Sequence, residues 1–319
     1  MSFATRYLWL VGLPLFLSAC VTVRHCPIET LQPAKVTLEG SKKNILICAP
    51  HTLLQEAIAT NNLTDLPTDS LISNILISLQ HLWKETPGYE DAQITFQIFT
   101  DEFSKIPNSD MMVLLQRLQI KNTYYGQEYS YVEWEAYLFV NYMVNWAILD
   151  SSGTLLDEYT ERNLMDWHSG MRTRKIEAVS HLPEVKDAWW DMGIVVSRNY
   201  AARILPRWQT GTRPIYMINK YPELSQQAYT AMLNNGYARA FDVWENMLMQ
   251  CRKRGQKKTK SRINYNMAVA WEFQNQLDEA IYWAQRSANL NLKSQTVSYL
   301  NLLRERKQDQ LKLDQQVNN

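Results

Sequence analysis

Residues 131–150, YVEWEAYLFVNYMVNWAILD, restrict the fold more than any other stretch of the chain. Every even position from Val132 to Ile148 is apolar: Val132, Trp134, Ala136, Leu138, Val140, Tyr142, Val144, Trp146 and Ile148. The odd positions include Glu133, Glu135, Asn141 and Asn145. A period of two is the signature of a strand with one buried face. A membrane-spanning helix would tolerate those four polar groups poorly. The DSSG at 150–153 is a turn, and TLLDEYTERN returns as the hairpin partner. The sheet is therefore mixed, or antiparallel at one edge, with helices packed on it.

The flanking segments supply the layers. KNILICAP gives a compact strand from Ile45 to Ala49, stopped by Pro50. LPTDSLISNILISLQHLWKETPG reads as a helix opened by Pro67 and Thr68 and closed by Pro87-Gly88. Its face carries Ile72, Ile75, Leu76, Leu79, Leu82 and Trp83. ITFQIF alternates, with Ile94, Phe96 and Ile98 on one side. Ser109 to Ile120 predicts a second helix, capped by Ser109 or Asp110. Lys186 to Leu205 is a long helix striped by Trp189, Met192, Val196, Tyr200 and Ile204, and Pro206 stops it. The expected class is α+β. An N-terminal α/β sandwich-type domain with a long β-hairpin spans 43–208, an all-α helical-hairpin array spans 209–312, and a polar tail spans 313–319.

The amino terminus speaks to location. Tyr7 to Leu17 is an apolar run of eleven residues, against the roughly 20 that a spanning helix needs, so residues 1–19 read as a signal peptide. It ends in Leu17-Ser18-Ala19-Cys20. These four residues resemble the bacterial lipobox, which implies cleavage before Cys20 and acylation of its sulfur. An ordinary signal with a chance cysteine is the competing reading. Val21 is not the aspartate that marks inner-membrane retention, and no acidic cluster follows Cys20. The expectation is an outer-membrane lipoprotein facing the periplasm, with membrane lipid as a partner through Cys20 and residues 20–42 as a tether. Removing 1–19 leaves 32 basic and 32 acidic side chains, a neutral balance that gives no case for nucleic acid. Cys26, Cys48 and Cys251 remain, an odd number. A Cys26–Cys48 bridge and a Cys48 buried unpaired in its strand are both open.

The C-terminal third repeats. NGYARAFDVWENML at 235–248 superposes without gaps on NQLDEAIYWAQRSA at 275–288, a spacing of 40. Each continues back into a second helix. The pattern resembles the tetratricopeptide repeat, a 34-residue helix–turn–helix unit. Ala240, Trp244, Met267, Ala268, Trp271 and Ala280 are the expected packing residues. Small residues at 268 and 280 let paired helices approach, and Trp271 fills the space between them. The excess over 34 coincides with CRKRGQKKTKSR, which holds seven basic residues between 252 and 262. Arg252, Lys253, Arg254, Lys257 and Lys258 read as a solvated loop or as a contact for an acidic partner or anionic lipid.

A lipobox, an α/β domain ending in NYAARILPRW and two helical hairpins together resemble an uncharacterised Bacteroidota lipoprotein family, known only as a domain of unknown function. VNWAILDSSGTLLDEY and YAARILPRW are the most specific pieces. That family has no established activity, so the resemblance implies no catalytic residues.

No HExxH, CxxC, GxSxG or phosphate-cradling glycine loop occurs. No cofactor and no metal is expected. DWHSG brings Asp166, His168 and Ser169 together in sequence, but a triad needs convergence that neighbours seldom achieve. Glu133 and Glu135 share a strand face at the separation of an acid/base pair, and read better as solvent-facing charges. The expected function is a non-catalytic scaffold or adaptor of the cell envelope, not an enzyme, with a protein partner held by the helical repeats. The alternative is a glycan-binding accessory lipoprotein of a nutrient-uptake system.

Overall fold

The computed structural model describes residues 22–38, 43–53, 68–99, 109–251, 256–291 and 293–318. Seven strands and eight helices are assigned among them. They are β1 (Val23–Gln32), β2 (Asn44–Pro50), α1 (Thr68–Lys84), β3 (Gln93–Phe99), β4 (Met111–Ser130), β5 (Glu133–Asp150) and β6 (Leu155–His168), then α2 (Lys175–Ser180), α3 (Val185–Ile204) and β7 (Arg207–Tyr216). The helices α4 (Pro222–Leu233), α5 (Tyr237–Gln250), α6 (Lys257–Phe273), α7 (Leu277–Leu290) and α8 (Ser294–Asn318) complete the chain. It divides into two compact units. One is Thr30–Gln209 with Gln308–Asn319, and the other is Thr210–Lys307 with the N-terminal segment through Glu29.

The first unit is an α+β layer built on a five-stranded sheet in the order β3-β2-β4-β5-β6. β2 runs parallel to β3 and β4, while β4–β5 and β5–β6 are antiparallel. The even positions of β5 from Ala136 to Ile148 are all buried. They face α1 and α3, whose stripes, including Ile72, Ile75, Leu79, Trp189, Met192, Val196 and Tyr200, fill one core with them. Trp146 stacks on Tyr200 at 4.4 Å with planes 5° apart. The two helices meet at Gly193, where a Cβ would come within 3.0 Å of Asn74 Nδ2 and 3.2 Å of Ile75 Cγ1. The Ser197 hydroxyl donates to the Ile75 carbonyl at 2.8 Å across the same contact.

Five expectations are corrected. Residues 111–120 form the first half of β4, not a helix. A bulge between Leu115 and Arg117 shifts the strand's parity, so the residues that enter the main core run 111, 113, 115 and then 118, 120, while Met112 is buried in a separate cluster. The step of three imitates helical spacing. Within 20–42, expected as a tether with one short extended piece, Val23–Gln32 form the ten-residue β1, which pairs with β7 in a second sheet. β7 itself falls where a continuous helical array was expected. The tail at 313–318 is helical, as the end of α8. Along β3 only Ile94 of the expected stripe is buried, and Phe96 is exposed at the sheet edge.

In the second unit α4–α5 and α6–α7 are antiparallel hairpins with matching turns. Asn235 and Asn275, 40 residues apart, both take left-handed backbone, with φ of 56° and 57°. The N–H of Gly236 donates to the Ala231 carbonyl at 2.8 Å, and that of Gln276 to the Trp271 carbonyl at 3.0 Å. Each turn is thus a Schellman closure with asparagine in the position that favours glycine.

Candidate functional site

Helices cover one face of β4–β6. From Arg117 onward no described element covers the other face, and the register sets its side chains in rungs. The rungs read Arg117–Asn145–Thr160, Gln119–Met143–Arg162, Lys121–Asn141–Leu164, Thr123–Phe139–Asp166 and Tyr125–Tyr137–His168. Alternation along three adjacent strands brings them to one surface. Gln119, Lys121, Asn141, Met143, Arg162 and Leu164 line a groove of about 680 Å³. Leu164 is 46% exposed and Tyr125 53%.

Toward the hairpin tip the face turns aromatic and acidic. The Glu135 carboxylate, its side chain 14% exposed, accepts from the Tyr137 hydroxyl at 2.6 Å and the Tyr129 hydroxyl at 3.3 Å. His168 Nδ1 lies 3.3 Å from its other oxygen. The Tyr137 hydrogen bond, aided by Tyr129 and by the charge of His168, holds the Glu135 carboxyl below the ordinary carboxylate range. The same bond pushes the Tyr137 phenol up. Tyr137 and Phe139 lie parallel, 2° apart, with centroids 5.9 Å apart. The cluster joins two features singled out separately in the sequence, Glu135 and the DWHSG histidine. Their convergence depends on the Tyr137–His168 register, which no local motif reveals. Asp166, His168 and Ser169 do not form a triad. Strand alternation turns Ser169 to the opposite side, where its hydroxyl accepts from the Ala136 N–H at 2.9 Å and donates to the Gly170 carbonyl at 2.8 Å. Glu133 is exposed and accepts from the Ser130 hydroxyl at 3.2 Å.

In the helical unit Ala240, Trp244, Met267, Ala268 and Ala280 are buried, and half-buried Trp271 lies 4.5 Å from the Phe241 ring. α6 is covered around its girth, with every residue from Ile263 to Ala270 buried. Part of that cover is β7. The Asn266 side chain accepts from the Tyr216 N–H and donates to the Tyr216 carbonyl, both at 2.8 Å. Arg213 forks onto the Glu272 carboxylate, its Nε donating to Oε2 and its Nη2 to Oε1, each at 2.8 Å. Glu272 has no side-chain exposure and also accepts from Tyr299 at 2.7 Å and from Arg306. The chain's own strand thus covers part of the surface of α6. Neither Glu272 nor Arg213 was legible as part of a site, since 59 residues separate them. Of the expected basic loop, Lys257 and Lys258 belong instead to the first turn of α6, exposed. Arg252, Lys253 and Arg254 lie outside the described residues, as do Leu17, Ser18, Ala19 and Cys20. Cys26, Cys48 and Cys251 are buried and unpaired, so no Cys26–Cys48 bridge forms. Burial pushes the Cys48 thiol up to about 12.

Among the described residues no group of three or more His, Cys, Asp or Glu is placed to hold a metal, and no helix is long and apolar enough to cross a membrane. The fold defines a class: an α+β unit with an uncovered sheet face, joined to a helical-hairpin array. Residues 96–216 match the family described as Domain of unknown function (DUF8603), and residues 226–305 match Domain of unknown function (DUF6340). Both fit the resemblance to a family without an assigned activity. No curated protein matches the chain. Solved structures similar to it include a neuraminyllactose-binding hemagglutinin homolog from Helicobacter pylori, at 10% identity and TM-score 0.31, covering 52% of this chain and 90% of that one. A minor lipoprotein from Acinetobacter baumannii aligns at 11% identity and TM-score 0.28, covering 52% and 98%.

Proposed function

We propose that the protein is an envelope lipoprotein, tethered through acylated Cys20 to the periplasmic leaflet of the outer membrane, that works as a non-catalytic adaptor. The observation that carries this reading is the uncovered face of β4–β6. It offers apolar, aromatic and charged side chains to solvent, while Glu135 and His168, the groups best placed for acid–base work, are tied to each other and to two tyrosines. The adaptor surface on this reading is the sheet face rather than the tetratricopeptide-like hairpins, whose helix α6 is already buried from Ile263 to Ala270. A photo-crosslinking residue at Tyr125, in the lipidated protein within its own membrane, tests the idea against one at Tyr282, which is equally exposed on α7 (55% against 53%). A discrete protein adduct from position 125 that disappears in the Cys20→Ala form is the expected result. Adducts from 282 alone, or none from either at full expression, would sink it.

The glycan reading draws support from one feature, the parallel Tyr137 and Phe139 rings beside the Glu135 carboxylate, a stacking surface next to a hydroxyl acceptor. Retention on a glycan array that Tyr137→Ala abolishes would favour it over a protein partner.

A further inference from the structure

The groove on the sheet face has a charge pattern that goes beyond the adaptor reading. Arg117, Lys121 and Arg162 occupy three successive rungs, and all are exposed. Among the described residues none of the three is paired with a carboxylate. Arg162 rests its Nε on the Met143 sulfur at 3.2 Å, and Arg117 reaches the Gln119 amide oxygen at 2.6 Å once that amide is turned to face it. Arg162 and Lys121 line the groove, Arg117 stands one rung beyond it, and both guanidinium groups rest on neutral neighbours with most of their donors free. Asn141 and Gln119 add amide donors, while Met143 and Leu164 supply an apolar floor and wall. We infer that this groove binds one molecule of an anionic amphiphile, a carboxylate or phosphate carrying an alkyl chain. The head would sit between Lys121 and Arg162, and the chain would lie on Met143 and Leu164.

Two observations favour a single molecule over a bilayer surface. The volume of about 680 Å³ falls within the 300–1,000 Å³ usual for small-molecule sites. The cationic stretch is also short and fenced. Its three rungs span about 13 Å of strand, with Glu158 on the same face beyond one end and Asp166 beyond the other. An anionic membrane laid on this face would meet those carboxylates and the Glu135 cluster.

The test uses the full chain in nanodiscs of zwitterionic lipid, labelled with a diazirine derivative of decanoate and mapped by peptide mass spectrometry. Labelling concentrated on the β5 and β6 peptides that carry Met143 and Leu164, competed by decanoate or decyl phosphate and not by decanol, is expected. Lys121→Gln with Arg162→Gln should reduce it at least tenfold. Both side chains are exposed, so the fold should hold, and an unchanged thermal melt checks that. Leu164→Glu, which puts a like charge on the wall, should reduce labelling by itself. Labelling that persists in the double variant, or that decanol competes equally, overturns the proposal. So does sedimentation with phosphatidylglycerol vesicles that depends on Lys121 and Arg162 without decanoate labelling, which would assign the cations to a membrane surface. None of these readouts requires a protein partner, so failure here and failure of the adaptor reading are separate results.

Discussion

Glu161 is almost wholly buried in the α+β unit, 6% exposed, and makes no ion pair among the described residues. One oxygen accepts from the Tyr142 hydroxyl at 2.8 Å and from the Asn199 amide at 2.7 Å. The other has no partner among the described residues. Desolvating a charge without compensation is costly. Glu161→Gln, which keeps the shape and an acceptor, should be neutral or raise stability by about 1 kcal/mol. Tyr142→Phe strips away one of two hydrogen bonds and should cost about 1–3 kcal/mol. Chemical denaturation of both variants checks the contrast, and equal losses would contradict it. Glu135 makes a prediction of opposite kind. Its folded pKa is lowered, so what it contributes is complete above the unfolded value of about 4.3 and is lost as pH falls through the folded value. The ring signals of Tyr129 and Tyr137 should shift in acid with a midpoint below 4.3, and Glu135→Gln should abolish the transition.

At the level of elements, the sequence is readable where one period holds and one face is covered. β5 alternates without interruption, and the stripe on α3 falls on buried residues at each expected position. β4 is the counterexample. Its parity changes at the bulge, and the result has the spacing of a helix although every residue is extended. β7 has no period to read, since Ile215 is its one buried residue, and β1 alternates only over Cys26, Ile28 and Thr30, with Pro27 between them; the strand character of both comes from pairing across the chain. The contact of α1 with α3 is set by the absence of a side chain at Gly193. Gly193→Val should destabilise the α+β unit by about 2–3 kcal/mol, whereas Gly193→Ala should change stability by under about 1 kcal/mol because helix propensity offsets the crowding. In the helical unit, Asn275→Gly relieves left-handed backbone and should raise stability by up to about 1 kcal/mol. Thermal melts decide each case.

For the molecule as a whole, the expected linear series of tether, domain, array and tail becomes a discontinuous partition. Residues at both ends of the chain return to the unit at the other end. Composition does not reveal this, because a short polar stretch reads as tether or tail until its partner is known. Gln316 shows the consequence, accepting from the Ala34 N–H at 2.9 Å and donating to the Ala34 carbonyl at 3.1 Å. Removing Gln308–Asn319 should therefore lower the melting temperature of the α+β unit by several degrees, where a polar tail would be dispensable; a roughly 1–2 kcal/mol loss corresponds to such a shift. The candidate site was legible in pieces, as alternating strands, single histidines and scattered cations. Its assembly needed the register of three strands.

The β4–β5 hairpin is also longer than the helices that support it. Beyond Ile120 no residue of β4 is buried, and β6 accompanies β5 only as far as the Tyr137–His168 pair. The 18 residues of β5 span about 60 Å, while the 20 residues of α3 span about 30 Å. The outer part is a cantilever two strands wide. Only residues 133–136 of β5 extend past that pair, an overhang of about 13 Å, and a tilt of about 10° at its root would carry the tyrosine-rich end through about 2 Å.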